Sequence, residues 1–576
     1  MRTHPFARYS AALLLACLPC PAQQPGETPT FRTGTTLIEF TVVALDGKGN
    51  PVTDLKKEEI TILERGQPRD VAVFRFEGGA GDAPPPAPLP PGLFSNRHEY
   101  SPGVPRNVTA IVLDSLNTDW THQMYVRDQL VRYLREIEAG THVAVYRFGE
   151  RMAVIHDFTD DLESLRARVS KNSLETAALQ GVDLAQVQAD NDALIAGASS
   201  EGAREALQAM SEAQMRVEAE YKERVQDRLV ELTLAALEDL GNHLSAIPGR
   251  KNLVWISSGI PTQMWVNGRP VIYEPQIRKT AQHLASQGVT LYPVEARGFA
   301  TEAPQAAITS RSQLGGGRGS RQAPTTRAKQ NNWAAADIFA RLTGGRATRE
   351  SNDVLLGAKK AAADVRGTYT MGFYAVGEPD GSWRRLEVKT ARRGVRLTYR
   401  QGYQQGAPPE QLEEEWTQNQ WRAAIFSPLG SAGVRLDARC EPVAGAAPGT
   451  HMLLLQIASD DLHFREVDGQ ASATADIFIA EKTPSGEYDL VAETATLRRP
   501  PRQGPAGGDG LLRYARRWQM KPETSVVRVI VRDRLTGLYG TLDIARKQIR
   551  AAVPPENDAA GSPSQPADRG NSIKPR

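Results

Sequence analysis

The chain has 576 residues, a length that predicts about three or four domains. Hydrophobic residues make up 40% and charged residues 24%, so the composition excludes a globally disordered protein. Basic and acidic side chains nearly balance at 69 and 67, which excludes the clear basic excess of a typical nucleic-acid-binding protein. The three cysteines are too few for a disulfide framework or a cysteine-rich metal site.

The first 22 residues have the pattern of an export signal. Arg2 and Arg8 precede a short apolar run at 11–18, and a small-x-Ala motif ends at Ala22. The apolar run is shorter than the roughly 20 residues that a membrane-spanning helix needs. We therefore expect a signal peptide over 1–22 and an exported protein in the periplasm, at the cell surface or outside the cell. Lipidation of Cys17 is the alternative form of processing.

The sequence on either side of the central segment predicts smaller units. Alternating apolar residues predict a small N-terminal β domain at 33–78, followed by a proline-rich linker at 79–104. Short strands at regular spacing predict a β-sandwich-like domain at 411–550, before a disordered tail at 551–576.

The segment 105–403 consists of strands that are apolar throughout, alternating with helical patterns. The strands are predicted at Val108–Leu113, Asn252–Ile256, Val289–Val294 and Thr368–Tyr374. This alternation predicts an α/β fold with a doubly wound, mostly parallel, Rossmann-like sheet that helices cover on both faces. Ligand sites in such sheets lie at the carboxyl ends of the strands, which here are Asp114 and the loop Ser257–Gly259.

A helical insertion at about 161–247 interrupts this α/β unit, and the loop 301–332 is predicted to be disordered. Apolar residues at three- and four-residue steps continue from Ala203 to Ile247. One unbroken helix over that range would be about 68 Å long, so part of it would project as a helical arm. Two ordinary helices broken near Glu220 are the alternative that the pattern leaves open.

The order of these parts resembles the von Willebrand factor type A (VWA) family, and within it the exported branch found in acidobacteria. The motifs that carry the resemblance are Val108–Thr118, Asn252–Gly259, Ala340–Asp353, Tyr369–Tyr374 and the N-terminal Asp46–Val52. The resemblance covers about Thr35–Tyr403. It implies a VWA fold and, where the family's site is complete, metal-dependent adhesion to a protein partner through an Asp-x-Ser-x-Ser loop, a threonine and a second aspartate.

This sequence departs from that family pattern. Asp114 matches the first carboxylate and Thr118 the last hydroxyl, but Leu116 stands in the place of the middle serine and cannot ligate a hard cation. Ser258 stands where the resemblance places an aspartate, and the family threonine has no clear counterpart; Thr176 is a candidate by position. We therefore expect a degenerate metal-ion-dependent adhesion site in which Asp114 hydrogen-bonds to its own loop.

The expected function is non-catalytic protein binding, adhesion or scaffolding, with no firm cofactor. The predicted binding face comprises Asp114, Ser115, Asn117, Thr118, Asp119, Ser257, Ser258 and Gly259. The first alternative is metal-dependent adhesion, with Mg²⁺ or another divalent cation held by Asp114 and Thr118.

Two further alternatives come from other residues. A hydrolase could use Ser258 with His122, His156 or His243 as base, although no glycine precedes the serine as in a nucleophile elbow. Binding of a polyanion at the cell envelope could use a basic loop and a basic hairpin. These basic residues are Arg311, Arg318, Arg321, Arg327, Lys329, Arg392, Arg393, Arg396 and Arg400. We expect protein partners, no nucleic acid and no transmembrane segment.

Overall fold

The computed structural model describes residues 36–77, 88–97, 100, 107–137, 141–149, 152–171, 184–245, 247, 249–266, 269–296, 324–349, 351, 353, 355–376, 382–404, 416, 418–467, 470–499 and 510–549. The predicted signal peptide, with Cys17, lies outside these residues. So do Thr176, the tail 551–576 and most of the loop 301–332.

The strands are β1 Thr36–Leu45, β2 Ile60–Glu64, β3 Gln67–Arg69, β4 Val73–Phe76, β5 Phe94–Ser95, β6 Val108–Asp114, β7 Val143–Phe148, β8 Ala153–Thr159, β9 Lys251–Ser257, β10 Gln263–Val266, β11 Arg269–Ile272, β12 Val289–Glu295, β13 Thr368–Ala375, β14 Trp383–Thr390, β15 Arg396–Tyr399, β16 Gly402–Gln404, β17 Leu436–Pro442, β18 Thr450–Ala458, β19 Arg465–Val467, β20 Gln470–Lys482, β21 Tyr488–Arg498, β22 Leu511–Gln519, β23 Val526–Asp533 and β24 Tyr539–Ala545. The α-helices are α1 Trp120–Glu136, α2 Leu162–Lys171, α3 Leu184–Ala196, α4 Glu201–Ser245, α5 Glu274–Ser286, α6 Pro324–Thr343, α7 Leu356–Arg366 and α8 Gln418–Phe426.

A five-stranded sheet forms the centre of the α/β unit, in the order β12-β9-β6-β7-β8. Strands β12, β9, β6 and β7 are parallel, and β8 is an antiparallel strand at the edge. Numbered in chain order within the unit and read from β8, the strands lie in the order 3-2-1-4-5, which is the order of a doubly wound sheet. The predicted fold class is confirmed.

Helices cover both faces of this sheet, because its central strands are apolar on both sides. One core contains Leu237 of α4, Ile277 of α5 and Phe339 of α6. The opposite core contains Leu130 of α1 and Leu165 of α2. All seven residues of β6 and all seven of β9 are buried between these layers.

The strand at Thr368 lies in a different place from the one predicted. β13 pairs antiparallel with β1 and β4, and β14 pairs with β2, so residues 368–404 complete the N-terminal β unit instead of extending the parallel sheet. The cause is a shared core of side chains from both segments, such as Phe40 and Phe373. The β unit is therefore built from 36–77 and 368–404, and the α/β unit is inserted between them.

A buried arginine joins these two units. Arg250, 1% exposed at the start of β9, donates hydrogen bonds to Thr41 Oγ1 at 3.1 Å, Asn252 Oδ1 at 2.9 Å and Tyr292 OH at 2.9 Å. Thr41 belongs to the β unit and Tyr292 to the central sheet. Several donors of one guanidinium group thus hold the two units together.

The helical insertion is narrower than the predicted 161–247. α2 packs on the sheet through Leu165 and Val169, and α4 is one continuous helix of 45 residues. Its buried side chains begin at Val225, so its second half packs on the core. Residues 184–224, comprising α3 and the first half of α4, form a helical hairpin that we call the arm.

The C-terminal residues form the predicted β-sandwich. The sheets β22-β18-β17-β5 and β19-β20-β23-β24, with β21 beside β20, pack their inward residues into one core. Phe94 and Ser95, which we assigned to the linker, pair with β17 and so belong to this sandwich. The predicted loop 301–332 is also shorter at its end, because α6 begins at Pro324, where proline suits the first turn of a helix.

Candidate functional site

The structure brings the two predicted loops together at the carboxyl edge of the central sheet. Asp114 ends β6 and Ser257 ends the neighbouring strand β9. The Ser257 hydroxyl donates a hydrogen bond of 2.7 Å to Asp114 Oδ2. The same hydroxyl accepts a bond of 2.9 Å from the amide of Gly259, which fixes the start of the second loop.

The Asp114 carboxylate is surrounded by donors. Its Oδ1 accepts from the amides of Leu116 at 3.0 Å and Asn117 at 3.1 Å. Its Oδ2 accepts from Asn117 Nδ2 at 2.9 Å and Trp255 Nε1 at 3.1 Å, in addition to Ser257. Burial raises the pKa of this carboxyl above its ordinary value, and the hydrogen bonds from Ser257 and Asn117 oppose that shift. These donors occupy the lone pairs that a cation would need.

Asn117 also links this loop to α4. Its Nδ2 donates 2.8 Å to Thr233 Oγ1, and that hydroxyl donates 2.7 Å to the carbonyl of Leu229 in its own helix. We did not single out Thr233 from the sequence, because a threonine among apolar helical residues gives no signal of a contact 116 positions away. The candidate Thr176 lies outside the described residues.

A small cavity lies beside Asp114. It has a volume of about 10 Å³ and is lined by Leu113, Asp114, Ser115, Thr118, Gln123, Val126, Arg147 and Ile256. One water molecule needs roughly 10–15 Å³, and Mg²⁺ usually keeps several waters. Arg147, 5% exposed, brings a fixed positive charge to the same cavity. That charge opposes a second cation there.

The residues present do not fit the metal site that the resemblance implies. Leu116 is buried at 2% exposure in the place of a ligand, and Asp114 is already bonded through both oxygens. Over the part of the chain that the structure describes, no group of three or more His, Cys, Asp or Glu side chains is placed to hold a metal ion.

Most of the predicted binding face is buried, so these residues support the edge of the sheet from within. Asp114, Ser115, Thr118, Ser257, Ser258 and Gly259 are buried, and Asn117 is half-buried. Asp119 alone of the eight is exposed, and it caps α1 by accepting from the amide of His122 at 3.0 Å. The prediction that all eight contact a partner therefore needs correction: a buried side chain offers no contact area.

Two exposed tryptophans lie at the same edge, and we did not predict them. Trp120 begins α1 and is 43% exposed. Trp265 lies on the β10–β11 hairpin that follows the Ser257–Gly259 loop, and it is 63% exposed. The other side of that hairpin packs on the core through Met264 and Val271. The only sign of them in the sequence was a tryptophan in a segment without a clear apolar pattern.

Glycine is required in the second loop. Gly259 has a φ of +83°, and a Cβ there would approach the Asn332 carbonyl oxygen to 2.9 Å. The loop therefore passes directly against α6, whose backbone limits its movement.

The chain resembles the von Willebrand factor type A proteins. No family profile matches it, and no curated protein matches it. One similar solved structure is an aerotolerance-related membrane protein from Bacteroides fragilis, at 14% identity and TM-score 0.23, over 45% of this chain and 98% of that chain. Another is a von Willebrand factor type A protein from Catenulispora acidiphila, at 10% identity and TM-score 0.21, over 76% of this chain and 66% of that chain.

A third is the proximal thread matrix protein 1 of the mussel byssus, described with a zinc-occupied metal-ion-dependent adhesion site. It is 8% identical with a TM-score of 0.21, over 46% of this chain and 48% of that chain. Similarities this distant do not indicate a function. The strand order of the central sheet carries the assignment of a VWA-like, Rossmann-like fold.

Of the three histidines of the hydrolase alternative in this VWA-like protein, His122 lies at the same edge as Ser258, where its ring pairs with Asp119. The other two contact backbone carbonyls away from that edge. His243 Nδ1 lies 2.6 Å from the carbonyl oxygen of Gly430, and His156 Nδ1 lies 2.7 Å from that of Asp157. On the basic hairpin, Arg392 pairs with Asp54 and Glu59, and Arg400 donates to two backbone carbonyls. The five basic residues predicted in the loop, from Arg311 to Lys329, have side chains outside the described part of the structure. No described helix combines the length and apolarity needed to cross a bilayer.

Proposed function

We propose that this protein is an exported, non-catalytic binding or scaffold protein whose VWA-like unit holds a protein partner without a bound metal ion. The observation that supports this most directly is the internal use of Asp114, whose two oxygens accept five hydrogen bonds from the protein itself. A carboxylate engaged in this way stabilises its loop and leaves no ligand for a cation to share with a partner.

The contact surface that we propose lies at the carboxyl edge of the sheet and centres on Trp120 and Trp265. Tryptophan is enriched among the residues that dominate binding at protein interfaces, because one side chain contributes a large apolar area. These two are 43% and 63% exposed on segments whose other side chains are packed, α1 on one core of the sheet and the hairpin on the other. A rigid support of this kind reduces the entropy that binding costs.

The hairpin favours contact through side chains over the addition of a partner strand. Pro270 lies opposite Trp265 in the antiparallel register, and the amide of Tyr273 bonds to the Thr262 carbonyl at 2.8 Å. Hydrogen-bonded and non-bonded pairs alternate along an antiparallel ladder, so the bond between Tyr273 and Thr262 makes Trp265 and Pro270 a non-bonded pair. The backbone nitrogen of Pro270 therefore points to the outer edge of β11. Proline has no N–H and therefore weakens that edge as a template for another strand.

Capture of partners from the native cell envelope, with and without a chelator, tests this proposal. We expect Trp120→Ser and Trp265→Ser each to lower retention of the partner at least about fivefold, as for residues central to an interface. The chelator should leave retention unchanged. Tyr374→Ser is the matched control, because Tyr374 is 54% exposed on the N-terminal β unit.

Two results would contradict the proposal. Retention that disappears with the chelator and with Asp114→Ala would favour metal-dependent adhesion. Retention that survives both tryptophan substitutions would place the contact elsewhere on the molecule.

A further inference from the structure

The arm carries an exposed apolar stripe that no described residue covers. Met210, Val217 and Tyr221 of α4 are 61%, 63% and 44% exposed. With exposed Gln214 they occupy steps of four, three and four residues, which places them in one line along the helix. This spacing is that of a coiled-coil seam, and the line is about 17 Å long. We call it the seam.

The partner within the arm already occupies another face of the helix. Half-buried Ala203, Leu207, Ser211 and Met215 recur every four residues on α4, and Val187, Asn191 and Ile195 do so on α3. The two helices pack together along these faces, joined by a short turn. The seam therefore remains exposed while the arm's own packing is satisfied.

The arm is strongly acidic, unlike the chain as a whole. Residues 184–224 contain eight acidic and four basic side chains, a net charge of −4, whereas the complete chain carries +2. Glu218 and Glu220 flank the seam directly, at positions that in coiled coils select the charge of the partner. The charge next to the seam favours basic side chains on whatever helix lies there.

We propose that the seam binds a basic amphipathic helix of a partner protein, in the manner of a helix docking along an apolar groove. The spacing selects a helix, because a partner helix presents its own side chains at matching steps. The charge disfavours two other occupants. A second copy would bring its own net charge of −4 to the same place, and an anionic lipid surface would repel the arm. The seam consists of other residues than the tryptophans at the sheet edge, so the inference does not depend on the proposed function.

The first experiment uses the full chain and synthetic helical peptides of about 18 residues. A Lys/Leu amphipathic peptide is titrated beside a Glu/Leu peptide of the same pattern and a scrambled Lys/Leu peptide. We expect the Lys/Leu peptide to bind at least about tenfold more tightly than either control, with an affinity that falls as salt rises. Equal binding of the scrambled peptide would show attraction by charge alone and would overturn the proposal, as would no binding.

Variants assign that binding to the seam. The triple variant Met210→Gln, Val217→Gln and Tyr221→Gln should lower the affinity at least about tenfold, because it removes the apolar contact. Glu218→Gln with Glu220→Gln should lower the affinity about threefold and reduce its dependence on salt. Glu58→Gln, an exposed acid of the N-terminal unit, is the control. Circular dichroism at 222 nm checks that the helices persist. Unchanged affinity in a folded triple variant would overturn the proposal.

The natural occupant is tested by a photo-crosslinking residue at position 217 in the native envelope, with position 58 as the control. The cross-linked segment is identified by sequencing. A basic segment with apolar residues at helical spacing is the expected result. A cross-link to a second copy, to lipid or to an acidic or extended segment would overturn the proposal, as would a yield no higher than that of the control.

Discussion

At Asp114, five donors converge on one buried carboxylate, and each of them is fixed by the fold. Two are backbone amides of its own loop, and the others are side chains of Asn117, Trp255 and Ser257. Since Trp255 and Ser257 lie on β9, the carboxylate joins the ends of two neighbouring strands. Its effect on this loop is comparable to that of a bound ion, because it gathers several dipoles around one charge.

Asp114→Ala should therefore destabilise the protein strongly. It leaves the Trp255 indole N–H and two amides buried without an acceptor, and we expect the free energy of unfolding to fall by about 3 kcal/mol. Urea denaturation measures the change. Asp119→Ala is the matched control at the same loop, where loss of a helix cap should lower the free energy by about 1 kcal/mol. Equal effects would show that the hydrogen bonds to Asp114 have no special weight.

The sequence predicted Asp114 and Ser257 as neighbours because both end apolar strands of one sheet, and the rule about carboxyl ends then applies. It could not predict their burial, which depends on the loops that fold over them. Thr233 and Arg147 were also missed. Their side chains approach Asn117 and the cavity only after α4 and β7 pack on the sheet.

The helix α4 divides into two halves with different environments. Leu237 in the second half is completely buried in the main core, whereas Met210 in the arm is 61% exposed. Leu237→Ala should lower the free energy of unfolding by about 3 kcal/mol, because it leaves a cavity in the core. Met210→Ala should change it by no more than about 0.5 kcal/mol. Thermal unfolding of the two variants measures both effects, and a large loss from Met210→Ala would mean that the seam is covered within the molecule.

The length of this helix was one of two interpretations of its apolar pattern. The steps of three and four residues continue through Glu220 without glycine or proline, and the structure has one helix there. The pattern could not tell which half packs on the core, because Val217 and Leu229 are both apolar. Their difference comes from the tertiary neighbours, which are present only beyond Val225.

The contact between α4 and the C-terminal sandwich contains a half-buried carboxyl. Tyr539 OH donates 2.8 Å to Asp239 Oδ1, and burial raises the pKa of Asp239 to about 6. Burial lowers the pKa of His243, which is four residues further along α4. Its contribution to stability therefore rises with pH, whereas that of Asp239 falls. Because the folded pKa of Asp239 is raised, its contribution to stability is complete below the ordinary value of 3.8 and is lost as pH rises through about 6.

Asp239→Asn isolates this effect, since the asparagine oxygen still accepts from Tyr539. The difference in unfolding free energy between the variant and the unmodified protein should move by about 3 kcal/mol in favour of the variant between pH 4 and pH 8. Denaturant unfolding at several pH values measures it. A difference that is constant with pH would mean that Asp239 titrates normally in the folded protein.

Strand pairing across the whole molecule was the least predictable feature. Thr368–Tyr374 is as apolar as the strands of the central sheet, so its composition could not show that it pairs with β1. The pairing partner of this strand is determined by the core that it shares with the N-terminal unit. A local sequence pattern contains no information about that core.

That pairing has a consequence for how the chain reaches its native state. About 290 residues separate β4 from its partner β13. The N-terminal strands are synthesised long before β13 and cannot pair with it until then. Contacts between residues so far apart in sequence also form slowly. During that interval their unpaired edges would attract other chains. Folding of this chain would therefore benefit from a chaperone that covers these edges until residue 404 has been synthesised.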